Sequence, residues 1–243
     1  PLFHWRWHLQ LFNFVAFKLR PPQGIIAQTA IAAQHQVKYY SSKIPIQVIP
    51  NSVRVVRRFP LVKREKIVLA VGRLNDHLKG FDRLLKAFAL VKNKGWRLVL
   101  AGGTKDQDRE LSTLIDELQL FPHTTFLGKV EDVDSLYAKA SIFVMPSRSE
   151  GFPNALCEAM AAGMACISFD FVAGPREIIT NGYNGLLIPE GDIENLAYAM
   201  SNLMDNEELR TKLSENAMTI SNQLAASSIV EKHISFFANV SRR

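Results

Sequence analysis

Short apolar runs alternate with helical patterns along most of this chain of 243 residues. Runs typical of buried strands occur at 24–29, 46–49, 67–71, 97–101, 124–127, 142–145, 165–169 and 185–188. Amphipathic helical patterns lie between most of them, at 81–92, 108–118, 133–140, 154–162 and 193–204. Continuous apolar strands that alternate with helices indicate a parallel sheet covered on both faces. The sequence therefore predicts a doubly wound α/β fold, a class that binds ligands beyond the carboxyl ends of its strands.

The same pattern predicts three segments. Prolines and basic residues interrupt it near 50–60, and the residues before this point are too few to bury a core alone. We therefore interpret 1–58 as the end of a first domain with its linker, comprising a helix at about 5–19 and a strand–helix–strand unit. Residues 59–222 are predicted to form one complete domain, and 223–243 to contain a closing helix at 225–239.

Composition excludes several classes of protein. An apolar fraction of 47% and a mean hydropathy of +0.00 are those of an ordinary globular protein, and no apolar run reaches the length of a membrane span. The net charge of +6 suits an anionic ligand or an anionic membrane face, and it suits a protein with no such partner equally well. The basic residues form no known nucleic-acid-binding motif, so no nucleic acid is expected as a partner. Cys157 and Cys166 lack a CxxC spacing, which favours buried thiols in a reducing cytoplasm.

The most informative segment follows the predicted strand at 142–145 and reads Glu150-Gly-Phe-Pro-Asn-Ala-Leu-Cys-Glu158. Pro153 is favourable in the first turn of the helix that follows, and such a helix start favours phosphate through its dipole and its amides. The amides in question belong to Gly151, Phe152, Asn154 and Ala155. Glu150 and Glu158 would suit the hydroxyls of a sugar on either side of the phosphates. A solvated loop acid and an ordinary acid near a helix start remain an equal alternative.

A second loop, Val71-Gly-Arg73 to Lys79-Gly80, also follows a buried strand and carries two cations suited to a diphosphate. An isolated Arg or Lys is more often simply solvated. This loop, however, is predicted to leave the same sheet edge as the Glu150 loop, which favours a binding role. His77 lies between the two cations. A third loop, Gly174-Pro-Arg-Glu-Ile-Ile179, is equally well explained as a plain helix start.

Two Asp-x-Asp patterns, at 106–108 and 132–134, match the metal sites of some sugar transferases. Both fall at predicted helix starts, where Asp is a common cap. The histidines show no metal-ligand spacing. We therefore predict no metal site.

These motifs resemble those of the retaining glycosyltransferases of family 4, which have the GT-B fold. Glu150 to Glu158 is similar to the E-x7-E motif of that family, and Gly72-Arg73 with Lys79-Gly80 to its diphosphate element. The resemblance also includes V-I-P-N at 48–51, F-L-G at 126–128 and G-P-R-E-I-I at 174–179, the last in a form found in bacterial polysaccharide and lipid-linked oligosaccharide transferases. The resemblance covers about 24–204 and includes five motifs in order, although Ser52 stands where many members have Gly.

The resemblance implies a role for each of these positions. Arg73 and Lys79 would neutralise the donor diphosphate, Glu158 would bind the ribose hydroxyls, and Glu150 the hydroxyls of the donor sugar. Glu150, Arg73 and Lys79 would be the catalytic residues. The full donor-binding set implied is Gly72, Arg73, Lys79, Lys129, Val130, Glu150, Gly151, Phe152, Pro153, Asn154, Ala155 and Glu158. Within it, Lys129 and Val130 would lie beside the base.

As an activity, the resemblance implies retaining transfer of a hexose or N-acetylhexosamine from a UDP-sugar to a glycan or polyprenyl-linked acceptor in surface polysaccharide or lipopolysaccharide synthesis. No metal or other cofactor would be required. A cytoplasmic location is expected, and peripheral contact with the inner face of the cytoplasmic membrane stays open, with the aromatic segment 3–17 as a candidate for it.

Because the sequence predicts only the end of an acceptor domain, we expect weak donor binding and little transferase activity from the chain alone. The alternatives are a UDP-sugar 2-epimerase of the same architecture and a non-catalytic nucleotide-sugar-binding fragment.

Overall fold

The computed structural model describes residues 21–39, 44–57, 59, 61–92, 95–103, 109–172 and 174–242. The predicted helix at 5–19 and the Asp-x-Asp pattern at 106–108 lie outside these residues. The chain divides into two compact units: Asn51–Ala226 form the larger one, and the residues up to Pro50 form the smaller one together with Ser227–Arg243.

The strands are β1 (Ile25–Ala27), β2 (Ile46–Val48), β3 (Glu65–Val71), β4 (Arg97–Ala101), β5 (Thr124–Phe126), β6 (Ala140–Met145), β7 (Ala165–Asp170) and β8 (Leu186–Pro189). The helices are α1 (Ala30–Tyr39), α2 (Phe81–Leu90), α3 (Arg109–Glu117), α4 (Val133–Lys139), α5 (Asn154–Ala161), α6 (Pro175–Ile178), α7 (Ile193–Asp205), α8 (Glu207–Ala217), α9 (Ile220–Gln223) and α10 (Ala226–Ser241). Single 3₁₀ turns occur at His77–Lys79 and Phe121–His123. None of the helices in the described ranges is long and apolar enough to cross a membrane.

The smaller unit is a β–α–β arrangement with α10 against it. Strands β1 and β2 pair in parallel, and α1 connects them. Thr29 begins α1, since its hydroxyl accepts a hydrogen bond from the amide of Ala32 at 3.1 Å. A Cβ atom on Gly24 would lie only 2.7 Å from the ring of Phe236 in α10. The absence of a side chain at Gly24 therefore lets α10 pack closely on the chain just before β1.

The larger unit is built on a parallel sheet of six strands in the order β5-β4-β3-β6-β7-β8. Its central strands are almost wholly buried, as their continuous apolar sequences predict. The chain moves outward from β3 in one direction and then returns to place β6 on its other side. In sheets of this kind, ligands bind beyond the carboxyl ends of the two strands at this reversal. Here those strands are β3 and β6.

Helices on both faces complete this doubly wound core, as predicted. Helix α2 buries Phe81, Leu84 and Leu85 on one side. The sequence analysis missed α8, whose pattern is mostly polar: it begins at the Asn206 cap and buries only Leu213 and Ala217. Both cysteines are buried without a disulfide, as predicted.

Candidate functional site

The loops that follow β3 and β6 are in contact where the strand order reverses. The amide of Arg148 donates to the carbonyl of Leu78 at 2.8 Å. Gly80 has φ +69°, and a Cβ atom there would lie 2.0 Å from the carbonyl oxygen of Pro146. Only glycine permits both this conformation and this approach. The prediction that the two loops leave the same sheet edge is therefore confirmed by the strand order and by these contacts.

Lys79 and Glu150, one from each loop, form an ion pair. The ammonium nitrogen Nζ of Lys79 lies 2.8 Å from both carboxylate oxygens of Glu150. The hydroxyl of Ser147, a buried residue, donates to Oε1 of Glu150 at 2.7 Å. The two charged side chains are 22% and 12% exposed. The pair is therefore shielded from water on most sides but open enough for a ligand to reach it.

Arg148, in the loop after β6, makes further contacts with the loop after β3 and with the start of α2. Its guanidinium makes a bidentate pair with Asp82 at 2.7 and 2.6 Å and also donates to the carbonyl of His77 at 2.8 Å. Burial opposes ionisation of Asp82, but the hydrogen bonds and the charge of Arg148 outweigh it and hold the pKa of Asp82 below its ordinary value. Because His77 and Lys79 share one 3₁₀ turn, Arg148 fixes the segment that carries Lys79.

The other cation of the first loop is placed differently. The Arg73 side chain is 77% exposed and pairs with Asp76 at 2.8 Å. Asp76 also caps the 3₁₀ turn, since its carboxylate accepts a hydrogen bond from the amide of Leu78. His77, the third residue singled out in this loop, is exposed. Lys79 and Glu150 are thus in direct contact, whereas Arg73 extends into solvent from the same loop.

Helix α5 begins at the same sheet edge. Pro153 occupies the N-cap rather than the predicted first turn, one position earlier, and no side chain caps the helix. The amide of Asn154 donates to the carbonyl of Phe152, and the amide of Cys157 is the first to donate within the helix, to Pro153. Among the residues that the structure describes, the first-turn amides therefore have no side-chain acceptor, which is the arrangement that favours an anion. Gly151 is exposed and Phe152 is buried.

Glu158 lies one turn further along α5, and two side chains that the sequence analysis did not single out contact it. Nε of Arg54 is 3.1 Å from Oε1 of Glu158, and the hydroxyl of Tyr137 donates to Oε2 at 3.2 Å. Arg54 is 104 positions away in the sequence, and Tyr137 is 21 positions away. Arg54 belongs to a basic cluster, and Tyr137 is one aromatic residue within a helical pattern. Neither signal identifies a partner of Glu158.

A cleft of about 480 Å³ lies beside Arg54 and Glu158. Its lining consists of Arg54, Arg57, Glu131, Asp132, Val133, Asp134 and Glu158. Asp132 caps α4, as predicted for this Asp-x-Asp pattern, and pairs with Arg57, whereas the buried Asp134 pairs with Arg54. No group of three or more His, Cys, Asp or Glu residues in the described ranges has the arrangement of a metal site.

Lys129 and Val130 follow β5 at the adjoining part of the edge. The preceding Gly128 is paired with the loop after β4, since the amide of Gly102 donates to its carbonyl at 2.7 Å. A Cβ atom on Gly102 would lie 2.2 Å from the carbonyl oxygen of Gly72. The loops after β3, β4 and β5 therefore touch one another through glycines, and they place Lys129, which is exposed, and the half-buried Val130 at the same edge as the other predicted residues.

The geometry of the larger unit defines a class: a six-stranded parallel sheet with the GT-B architecture, of which the chain covers a part. Residues 55–219 match the family model described as glycosyl transferases group 1. Because that match covers well over half of the chain, the chain belongs to this family.

Relatives and solved structures agree with this assignment. The chain is 40% identical over 169 residues to an exopolysaccharide phosphotransferase of Streptomyces coelicolor, covering 68% of this chain and 18% of that protein. It is 32% identical over 181 residues, 73% of this chain and 49% of the relative, to a Campylobacter jejuni N-acetylgalactosaminyltransferase whose name specifies an undecaprenol-linked acceptor. The structure of Anabaena HepE in complex with UDP superposes with a TM-score of 0.85 at 22% identity, over 96% of this chain and 69% of that one. The chain thus spans about half or less of the length of these two curated relatives.

Proposed function

We propose that this chain provides the donor side of a retaining glycosyltransferase that transfers a hexose or N-acetylhexosamine from a UDP-sugar to a glycan or lipid-linked acceptor of a bacterial surface polysaccharide. The observation that carries the proposal is the ion pair of Lys79 and Glu150, held between two docked loops at the strand-order reversal. The names of the relatives support the acceptor class, and the UDP in the complex of HepE supports the donor class.

The diphosphate of the donor is the group that Lys79 suits best. On donor binding, the ammonium exchanges part of its contact with Glu150 for phosphate oxygens, and the amides at the start of α5 supply further donors. Arg73, exposed on the same loop, turns from its pair with Asp76 toward the phosphates. Negative charge grows on the leaving diphosphate as the glycosidic bond breaks. Preorganised cations and amides stabilise that charge, and no metal ion is needed for this step.

Glu150 then becomes available to the donor sugar. Its carboxylate accepts hydrogen bonds only, so hydroxyl groups of a hexose replace the donors that Lys79 withdraws. Ser147 keeps Oε1 of Glu150 in place during this exchange. With the sugar held on the face next to the leaving phosphate, the acceptor hydroxyl attacks on that same face and the phosphate oxygen takes its proton. Transfer with retention of configuration follows.

Calorimetric titrations with UDP, UMP and uridine test the two halves of this assignment separately. We expect Lys79→Met to weaken UDP about 10- to 100-fold and uridine hardly at all, because one charge-assisted contact to the diphosphate is lost. Glu158→Ala is expected to weaken all three ligands by about 1–3 kcal/mol, because its contact is to the ribose. Lys86→Met, on the exposed side of α2, and Glu194→Ala, on the exposed side of α7, are the matched controls.

The outcomes separate clearly. Equal losses for UDP and uridine in Lys79→Met would remove the diphosphate assignment, and normal binding by Glu158→Ala would remove the ribose assignment. Loss of UDP binding in EDTA would replace the metal-independent mechanism with a metal-dependent one. A panel of UDP-sugars then identifies the donor, and analysis of the same incubations for 2-epimerised sugar nucleotides tests the epimerase alternative.

A further inference from the structure

The two oxygens of the Glu150 carboxylate depend on different donors. Lys79 contacts both oxygens at 2.8 Å, whereas the hydroxyl of Ser147 donates to Oε1 alone, at 2.7 Å. Within the described part of the chain, the ammonium of Lys79 is therefore the one donor to Oε2. It is also the cation that pairs with this carboxylate.

The surroundings of Glu150 make the loss of that donor costly. Its side chain is only 12% exposed, so water has limited access to Oε2. A shielded carboxylate that loses both a hydrogen bond and its counter-charge is strongly disfavoured. Phosphate oxygens accept hydrogen bonds and supply no donor in return. A diphosphate that draws Lys79 away therefore leaves Oε2 without a replacement.

Charge repulsion acts in the same direction. Nζ of Lys79 lies 2.8 Å from both carboxylate oxygens, so a phosphate in contact with this nitrogen must stand next to Glu150. Like charges this close repel each other, and a partly shielded site screens them less than bulk water does. Glu150 thus opposes a free nucleoside diphosphate in two ways, by holding the cation that it needs and by repelling its charge.

A sugar attached to the diphosphate changes both effects. Esterification of the second phosphate lowers its negative charge. The hydroxyl groups of a hexose are donors, and Oε2 is the acceptor that Lys79 leaves. A sugar nucleotide therefore returns to Glu150 the hydrogen bond that its diphosphate removes, whereas the free nucleoside diphosphate does not.

We infer that Glu150 determines specificity between substrate and product: its pair with Lys79 selects against the free nucleoside diphosphate and favours the same nucleotide carrying a hexose. This inference rests on the proposed role of Lys79 at the diphosphate, and it gives Glu150 a function before and after the transfer. Before transfer, UDP competes poorly with the UDP-sugar. After transfer, Glu150 regains Lys79 as the sugar leaves, and this exchange promotes the release of UDP.

Calorimetric titration of Glu150→Gln with UDP and uridine tests the inference, because this substitution keeps the shape of the side chain and removes its charge. We expect the variant to bind UDP about three- to tenfold more tightly than the unmodified chain does. Uridine has no phosphate, and its affinity should stay unchanged. The ratio of the two affinities is the readout, since partial unfolding would weaken both ligands alike.

The same titrations with UDP-glucose, UDP-N-acetylglucosamine and UDP-N-acetylgalactosamine measure the other half of the selectivity. A Gln side chain accepts hydrogen bonds from sugar hydroxyls more weakly than a carboxylate does, so the sugar nucleotides should not share the gain of UDP. For the one that binds the unmodified chain most tightly, we expect the affinity relative to UDP to fall about tenfold in Glu150→Gln.

Glu190→Gln is the matched control. Glu190 follows β8 at the same end of the sheet and pairs with Arg83 at 3.2 Å, so this change also removes an acid from an ion pair. Arg83 has no assigned role in donor binding. The affinity for UDP should therefore stay within about twofold of normal.

The possible results separate this inference from the proposed function. If Glu150→Gln does not raise the affinity for UDP relative to uridine, or if Glu190→Gln raises it equally, the selection against the free diphosphate is overturned. An equal gain for UDP and the sugar nucleotides would overturn the discrimination between substrate and product. If Lys79→Met weakens UDP and uridine equally, the proposed diphosphate assignment itself has failed, whatever the result for Glu150→Gln.

Discussion

At the amino end of the six-stranded sheet, Arg64 directs its guanidinium at backbone carbonyls, whereas at the carboxyl end Lys79 and Arg54 face carboxylates. Arg64 precedes β3 and lies at the ends of two helices. It donates to the carbonyls of Tyr137 and Ala140 at 2.7 and 2.5 Å, and to those of Ala162 and Gly163 at 2.7 Å each. These groups terminate α4 and α5, where a cation is favourable.

The two ends of the sheet differ in whether a ligand could replace the partners of the cations. The carbonyls around Arg64 belong to the folded backbone, so this cation contributes to stability. Burial lowers the pKa of Arg64, yet four close carbonyls keep the charged form in place. Glu150, by contrast, holds Lys79 through side-chain contacts that a phosphate and a sugar hydroxyl can replace. Helix α5 connects the two ends: its first turn is the proposed anion site, and the carbonyls just after its last turn accept hydrogen bonds from Arg64.

The largest expected effect comes from removing Arg64. We expect Arg64→Met to lower the free energy of unfolding by about 3–4 kcal/mol, because several buried carbonyls lose their donor at once. Urea denaturation measures this loss, and the affinity of the folded variant for UDP should stay within about twofold of normal. Arg97→Met is the matched control at the same end of the sheet, since its pair with Glu65 is half-exposed and worth at most about 1 kcal/mol. A large loss of UDP affinity in Arg64→Met would contradict the assignment of stability to the amino end of the sheet and of binding to the carboxyl end.

Most of the fold could be predicted from the sequence because the central strands contain continuous apolar runs. The two loops could also be predicted. Gly72, Gly80 and Gly151 lie at strand ends or helix starts, and the charged site residues of both loops lie within a few positions of these glycines. Helix α8 was missed because a surface helix that buries only Leu213 and Ala217 has no apolar stripe to detect.

The partners of the site residues could not be predicted. The contact between Lys79 and Glu150 joins positions 71 apart, and that between Arg54 and Glu158 joins positions 104 apart. Which cation meets which acid depends on strand order and on side-chain direction, and neither is encoded in local spacing. Ser147, Arg148 and Asp82 carry no motif of their own. Their roles appear only when the loops after β3 and β6 are brought together.

A smaller loss of stability is expected from a substitution at Gly80, and it should be accompanied by a loss of UDP affinity. This substitution tests whether the contact between the two loops at the carboxyl end contributes to both folding and binding. Gly80→Ala must place a Cβ against the carbonyl of Pro146, so the two loops have to separate. We expect a loss of about 2–3 kcal/mol in the free energy of unfolding and at least a tenfold loss in UDP affinity.

Gly182→Ala is the matched control for this substitution. Its φ of +75° is close to the +69° of Gly80, but no atom of the described residues lies within 4 Å of the added Cβ. The cost should therefore be that of the left-handed conformation alone, about 1 kcal/mol, with UDP binding unchanged. Equal effects of the two substitutions would show that the close approach of the loops does not matter.

The smallest effect is expected from the pair of Arg148 and Asp82, and it depends on pH. Because the pKa of Asp82 is depressed in the folded protein, the pair stabilises the fold above the unfolded value of about 3.9 and loses its contribution as the pH falls through the folded value. Asp82→Asn should therefore cost about 1 kcal/mol at neutral pH, measured by urea denaturation, and progressively less below about pH 4. Glu231→Gln, at an exposed position of α10, provides the reference for general charge effects. A difference between Asp82→Asn and the unmodified protein that stays constant down to about pH 2.5 would mean that the ion pair does not hold the two loops together, leaving the contact at Gly80 to do so.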